Sequence, residues 1–490
     1  MASSTDLSAL ADPTRRLPPL RSEPSAVPLF TALCHLSELY SPHSLTPSER
    51  RTLASLSNPS SEGTDYRDTE AWQDALDSAR VDASEQRYAM SWLTRLIATG
   101  LPWIDAEEHH GSQIDAETLL DLAGRVLGGQ AGLEEAGAIT RDFYFPLERS
   151  VIEMQASSSS LGAVHIHMRD ESLPPSESKP RHRLEGEGGE ITTNGDDDGE
   201  ETSKNAAAAV GVQTWAAAVI LGDMFLRRPD LFHADFVSLV DPPSSGNEGA
   251  AAQQRQRQQR RRGKMRIHEL GAGTGLVGMA AAKGLQNRRW PATVTMSDFH
   301  DQVLDNLRFN LEQNFGTAAL ASASQDDVVD VRVEKVDWSV LHQRRLAPSA
   351  ATAADEGAEG RSHLLLLADV IYDPQHATWL KSSIETLLLR PHEEEGEVEQ
   401  DEDRAGSTGA RGKSGRSRAH ILIALRTSGK FEGLHKTVEE VFGRLDSDRP
   451  PGGDGLQLRI LKVTELQKRQ RLGRDDEQGY LWFEIGWIAV

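Results

Sequence analysis

Apolar residues near the start of the chain recur at helical spacing, at Leu29, Phe30, Leu33, Leu36 and Leu39 and again at Tyr88, Trp92, Leu93, Leu96 and Ile97. Side chains three or four apart share one side of a helix, so residues 27–135 are predicted to form a helical accessory region whose stripes pack together. Core packing outweighs ligand binding for such stripes, with partner recruitment as the alternative. Between Ile139 and Met168 the pattern changes to two short runs rich in aromatic and β-branched residues, Arg141 to Pro146 and Ala163 to Met168. These predict a β-hairpin over 139–170. A further apolar helical stretch opens after Gly211–Trp215, runs through Ile220, Leu221, Met224 and Phe225, and stops at Pro229, where proline disfavours continuation.

From Met265 the pattern alternates between short apolar runs and helical spacing. Strands are predicted at 265–270, 292–298, 328–336, 363–370 and 420–426, with helices to about 284 and at about 302–314, 378–389 and 431–442. Such alternation predicts a parallel α/β sheet. The last two apolar runs, 456–463 and 480–488, have no helix between them and should pair as an antiparallel hairpin, giving seven strands in all. The intervening charged stretch, 467–479, fits an exposed loop.

Composition adds boundaries. The chain has 490 residues, of which 38% are hydrophobic, and several polar tracts break it. Residues 1–26 are expected to be disordered, and 171–204, with Asp196, Asp197 and Asp198, to be an acidic disordered linker. The domain at 205–490 would carry insertions at 241–263, 347–361 and 393–418. The first contains the basic run Gln253 to Arg262, read chiefly as a solvated loop because no aromatic residue interleaves for base stacking, with nuclear import or RNA contact as the alternative. Fifty-three basic against 75 acidic residues leave a net charge of −22, which argues against direct nucleic-acid binding. A single cysteine, Cys34, excludes an intrachain disulfide or a multi-cysteine zinc site and suits the cytoplasm or nucleus. No membrane anchor or signal peptide is expected from the mixed N-terminus, and no run reaches the length of a span.

The candidate chemistry centres on Ile267 to Gly275, where an apolar strand carrying Glu269 meets a turn with Gly271, Gly273 and Gly275 before a helix begins near Leu276. Without Cβ atoms, the turn lets a nucleoside cofactor lie against backbone N–H groups at a helix N-terminus. The glycines also fit a dinucleotide fingerprint, so alone they leave the cofactor class open. Asp298 ends the second strand, 23 residues after Gly275, where a carboxylate suits a vicinal ribose diol; capping the next helix is its alternative. His165 and His167 alternate on one hairpin face, but with no third ligand nearby in the sequence they are read as solvated strand residues, and no metal is expected.

Seven strands ending in a hairpin, the turn Glu269 to Gly275, and Ala368-Asp369-Val370-Ile371-Tyr372 with its D-x-x-Y spacing resemble the seven-strand S-adenosyl-L-methionine-dependent methyltransferases. More narrowly they resemble the non-SET protein-lysine methyltransferases of methyltransferase family sixteen. Within it, the subgroup that includes methyltransferase-like protein twenty-two and fungal glucose-response relatives looks nearest. The resemblance covers about 139–490 and leaves out the helical third, the acidic linker and the basic insertion. It implies a Rossmann-like fold and S-adenosyl-L-methionine as cofactor. It assigns Glu269 to orienting the turn or the cofactor's ammonium group, although that side chain could merely brace the loop. It places Asp337 and Trp338 at the adenine, and Trp215 either at the methionine end or in its helix packing. His268, which interrupts the first strand, is read as a packed residue.

On this resemblance Asp369 would bind an incoming ammonium and Tyr372 would shape an aromatic channel around its stem. The expected reaction is methyl transfer to a lysine presented by a protein substrate. Two other readings stay open, small-molecule N-methylation and a non-catalytic cofactor-binding scaffold. Oligomeric state, target lysine and methylation degree are not legible in the sequence.

Overall fold

The computed structural model describes residues 16–41, 44–57, 82–105, 107–109, 112–128, 139–147, 163–171, 211–240, 264–316, 328–347, 360–391, 393, 416–429, 431–445, 455–468 and 477–489. The basic run and nearly all of the acidic linker and the two later insertions lie outside them.

The N-terminal helices are α1 (Ala26–Tyr40), α2 (Pro47–Ser57), α3 (Ala83–Thr99) and α4 (Ala116–Gly128). Their stripes meet as expected, in a core of their own that includes Leu29, Leu33, Leu93, Leu96, Leu119 and Leu122. Two details depart from the sequence expectation. A small antiparallel ribbon, β1 (Glu107–His109) and β2 (Ser112–Ile114), interrupts the helical region. Residues 16–25, placed in a disordered terminus, are packed instead: Leu17 is buried, and the indoles of Trp92 and Trp103 donate to the Pro18 and Pro24 carbonyls. Both carbonyls are acceptors without a competing helical partner, and each satisfies a partly buried indole N–H.

The hairpin forms as predicted, β3 (Ile139–Pro146) against β4 (Ala163–Asp170) in antiparallel register. Next come α5 (Ala216–Arg227) and the short α6 (Val237–Val240). Then the chain alternates: β5 (Met265–Leu270), α7 (Leu276–Asn287), β6 (Ala292–Asp298), α8 (Asp301–Phe315), β7 (Val329–Lys335), α9 (Trp338–Leu346), β8 (Leu364–Ala368), α10 (His376–Leu387), β9 (Arg418–Arg426), α11 (Lys436–Phe442), β10 (Leu456–Gln467) and β11 (Glu477–Ala489). The helix α9 was not foreseen. Asp337 caps it, accepting the Ser339 and Val340 amides.

The seven strands run in the order β10-β11-β9-β8-β5-β6-β7. Pairing is parallel from β7 through β9, and β11 is antiparallel to both β9 and β10. The Leu364–Leu367 run shows why the centre is parallel: Leu364 and Leu366 pack into one core with α5, α7 and the hairpin, while Leu365 and Leu367 pack into the other with α10 and α11. A strand buried on both faces reads as a continuous apolar run. Its neighbour β5 meets β6 on one side and β8 on the other. The chain order therefore reverses there, where α/β sheets open a crevice at the carboxyl ends of their strands.

Candidate functional site

The turn after β5 has the backbone that its glycines allow. Gly271, Gly273 and Gly275 have φ of 67°, 55° and 88°, left-handed values that cost other residues strain. At Gly273 a Cβ would lie 3.0 Å from the Gly211 carbonyl oxygen, and at Gly271 it would lie 2.9 Å from the Trp338 ring. Two other segments thus close directly onto bare backbone. The 211–215 segment is tied down further, since Thr214 Oγ1 and Thr274 Oγ1 are 2.9 Å apart and the Thr214 amide and hydroxyl both donate to Asp170. Arg141 pairs with the other Asp170 oxygen at 3.2 Å.

Glu269 turns into the protein beneath this turn. It is 2% exposed, and its carboxylate accepts the Gly278 amide at 2.8 Å. Burial pushes its carboxyl up to about 8. Of its two expected uses, bracing the loop is the one with a hydrogen bond behind it. His268 is buried on the same strand with Nε2 2.9 Å from Ser297 Oγ, a packed residue as expected.

Asp298, at the end of β6, is also buried. One oxygen accepts the Phe299 and His300 amides and the other the Gly273 amide at 3.2 Å. It therefore joins the glycine turn to the second strand, and burial raises its carboxyl. The N-cap of α8 is His300, so Asp298 is not the helix cap. Asp337 does cap α9 through one oxygen, and Trp338 lies against Gly271 with its ring edge-on to His376 at 5.7 Å. The Trp338 indole N–H is buried and has no hydrogen-bond partner among the described residues.

The Asp369 to Tyr372 segment leaves β8 beside this turn. Asp369 has φ of 53° and is buried, a strained conformation that Asp tolerates better than most residues. The sequence expectation placed its carboxylate before an incoming ammonium. The structure gives both oxygens to Arg426, with Oδ1 3.1 Å from one guanidinium nitrogen and Oδ2 2.5 Å from another. The same guanidinium reaches Glu477 at 3.2 Å, whose other oxygen accepts the Tyr480 hydroxyl. The guanidinium carbon lies 5.8 Å from the Trp215 ring centre and 5.7 Å from that of Phe431. Tyr372 packs edge-on to His376 and Phe431, and burial beside Asp298 and Asp369 pushes its phenol up, keeping it neutral.

All the expected site residues thus gather at the carboxyl ends of β5, β6, β7 and β8. Arg426, Glu477, Phe431, Thr214 and Asn310 were missed. Arg426 had a signal, a charge ending an apolar strand; Glu477 had none, since it sits in a charged stretch. Asn310 is fully buried on α8 and donates to the Thr274 carbonyl beneath the turn. One hairpin expectation is corrected: a third group does stand beside His165 and His167, because pairing of β3 with β4 brings Asp142 within 2.6 Å and 2.9 Å of them.

The sequence profile of the lysine methyltransferase family matches residues 197–393, which include the glycine turn, Asp298, Trp338 and Asp369 to Tyr372. The protein-lysine N-methyltransferase EEF2KMT of Homo sapiens is 22% identical over 325 residues, 66% of this chain and 83% of that protein. The protein-lysine N-methyltransferase EFM2 of Saccharomyces cerevisiae is 26% identical over 182 residues, 36% of this chain and 34% of that one. An uncharacterized Dictyostelium discoideum protein is 27% identical over 202 residues, 38% of this chain and 44% of its own length. The alignments with the last two relatives thus span less than half of their length. Residues 197–393 of this chain are thus similar to the lysine methyltransferase family.

Proposed function

We propose that the protein is an S-adenosyl-L-methionine-dependent protein-lysine N-methyltransferase. The observation that carries this reading is the meeting, at the crevice beside β5, of the glycine turn with the Asp369 to Tyr372 segment of β8. The match to the lysine methyltransferase family and the names of the human and yeast relatives support the same reaction.

The residues fit the cofactor. The left-handed glycines let the Gly211 carbonyl and the Trp338 ring close directly onto the turn, which gathers the walls of a cofactor cleft around it. Asp298 supplies a carboxylate for a vicinal diol, and the Trp338 indole N–H, without a partner among the described residues, is a buried donor beside the same turn. S-adenosyl-L-methionine, when bound, would supply an electrophilic methyl group whose bond to sulfur breaks as a neutral amine bonds to it in line, the sulfur leaving as a thioether. Positioning then contributes more than acid–base chemistry.

Asp369 and Glu477 together oppose one guanidinium, that of Arg426. Two carboxylates and one guanidinium beside the aromatic rings of Trp215, Tyr372 and Phe431 make a setting that favours a cationic lysine. Asp369 thereby acts with Arg426 and Glu477 as a charged floor. An anionic floor raises the amine's pKa, so it aids capture, and loss of the proton to water follows as the sulfonium repels the charge. Tyr372, neutral and aromatic, walls the lysine stem.

Incubating the full-length protein with methyl-labelled cofactor and a cell extract tests the reading. Labelled protein bands that yield methyl-lysine support it. Labelled metabolites alone would transfer the reading to small-molecule methylation, and cofactor binding with no transfer would leave a scaffold.

A further inference from the structure

The hairpin carries a cluster that methyl transfer does not use. Asp142 on β3 faces His167 across the ladder, and Tyr144 faces His165. One Asp142 oxygen lies 2.6 Å from His165 Nε2 and 2.9 Å from His167 Nδ1, and all three ligand atoms fall within 4.8 Å of one another. We propose that Asp142, His165 and His167 form a binding site for a divalent transition-metal ion, zinc in the first instance.

The donor set is two imidazoles and a carboxylate, a combination suited to zinc and its first-row neighbours. A tetrahedral ion with bonds of about 2.0–2.2 Å separates its ligands by roughly 3.3 Å. The present separations are hydrogen-bond lengths, so small side-chain rotations admit the ion. Coordination replaces the two N–H···O bonds: each imidazole turns a lone pair to the metal and carries its proton on the other nitrogen. Partial exposure of all three side chains leaves a way in and a fourth position for water.

The backbone beneath the cluster is fixed, which sets it apart from a chance surface group. The His167 amide and carbonyl are both bonded to the Asn314 side chain, and the His165 carbonyl accepts Lys283 Nζ at 2.6 Å. The Tyr144 ring stacks on the His165 imidazole, with centroids 4.4 Å apart. Three residues beyond His167 on the same strand, Asp170 holds Thr214 at the glycine turn. A bound ion would clasp the hairpin on which that contact rests.

The test uses the full-length protein, freed of metal with chelator and titrated with zinc chloride by calorimetry. One equivalent should bind with a micromolar dissociation constant and raise the melting temperature by about 5 °C at saturation. Asp142→Asn and His165→Gln should each weaken binding at least about tenfold. The metal-free melting temperature of each variant reports whether it is folded. X-ray absorption of the zinc-loaded wild type gives an independent reading and should show two imidazoles in the first shell. Absence of a one-equivalent site up to about 100 μM zinc, a first shell without imidazole, or unchanged uptake by folded His165→Ala/His167→Ala protein would each overturn the proposal.

Discussion

Individual residues in the cleft do more than one job. Arg426 neutralises part of the Asp369 and Glu477 charge while lying between Trp215 and Phe431. Removing it strands two buried carboxylates, so Arg426→Ala should cost about 3–5 kcal/mol in chemical denaturation. Pairing it with Asp369→Ala should return part of that loss. Asp369→Asn preserves a residue that tolerates the left-handed backbone but removes the charge and half of the bidentate clasp. It should reduce methylation about 100-fold while cofactor affinity, measured by calorimetry, stays within about threefold. Equal losses in both would place Asp369 at the cofactor instead. At the turn, Gly273→Ala forces a strained φ and a Cβ against the Gly211 carbonyl, a backbone that cannot yield as a side-chain tip would. Cofactor affinity should fall at least about tenfold, the equivalent of 1–2 kcal/mol of left-handed strain.

Among the elements, the hairpin and α8 form a unit that period arguments explain. Asn306, Asn310 and Asn314 stand four apart on one side of α8, and their side chains bond to the backbone of Arg169 and His167, two apart on β4. Four helical residues rise about 6.0 Å and two strand residues about 6.8 Å, so amide side chains on the helix can follow the free edge of the strand. An edge that would otherwise attract another chain is thereby satisfied. Asn310→Ala would leave the Arg169 amide without its side-chain partner and remove a donor to Thr274, with an expected loss of about 2–4 kcal/mol by urea unfolding. Because Asn310 also holds the turn, its cofactor affinity should fall with stability, whereas Asn314→Ala should affect stability alone.

For the whole molecule, buried histidines set the acid limit. Burial holds His268 down at about 4 and His420 at about 3, against an ordinary value of 6.5. The unfolded chain takes up these protons first, so their contribution is intact above about pH 6.5 and is lost as pH falls toward 4 and then 3. Glu269 works in the opposite sense, because its raised carboxyl makes stability decline as pH rises from about 4.5 to 8. Melting temperature should therefore peak between these limbs. The acid limb should flatten in His420→Gln, and the alkaline limb in Glu269→Gln, if scanned from pH 4 to pH 9.

The sequence by itself determined the helical accessory unit, the hairpin, the seven strands and the glycine turn, because burial periodicity and backbone-permissive residues are local properties. It also brought Asp298, Asp369 and Tyr372 to the right strand ends. Tertiary structure decided what those residues touch. Arg426 meets Asp369 across 57 residues of chain and Glu477 across 51, separations that no window of periodicity spans. Asp142 joins His165 and His167 only through the hairpin register, and α8 holds the edge of that hairpin through side-chain amides beside its buried leucines. Local patterns record which face is buried, while ion pairs and ligand clusters depend on which distant faces meet.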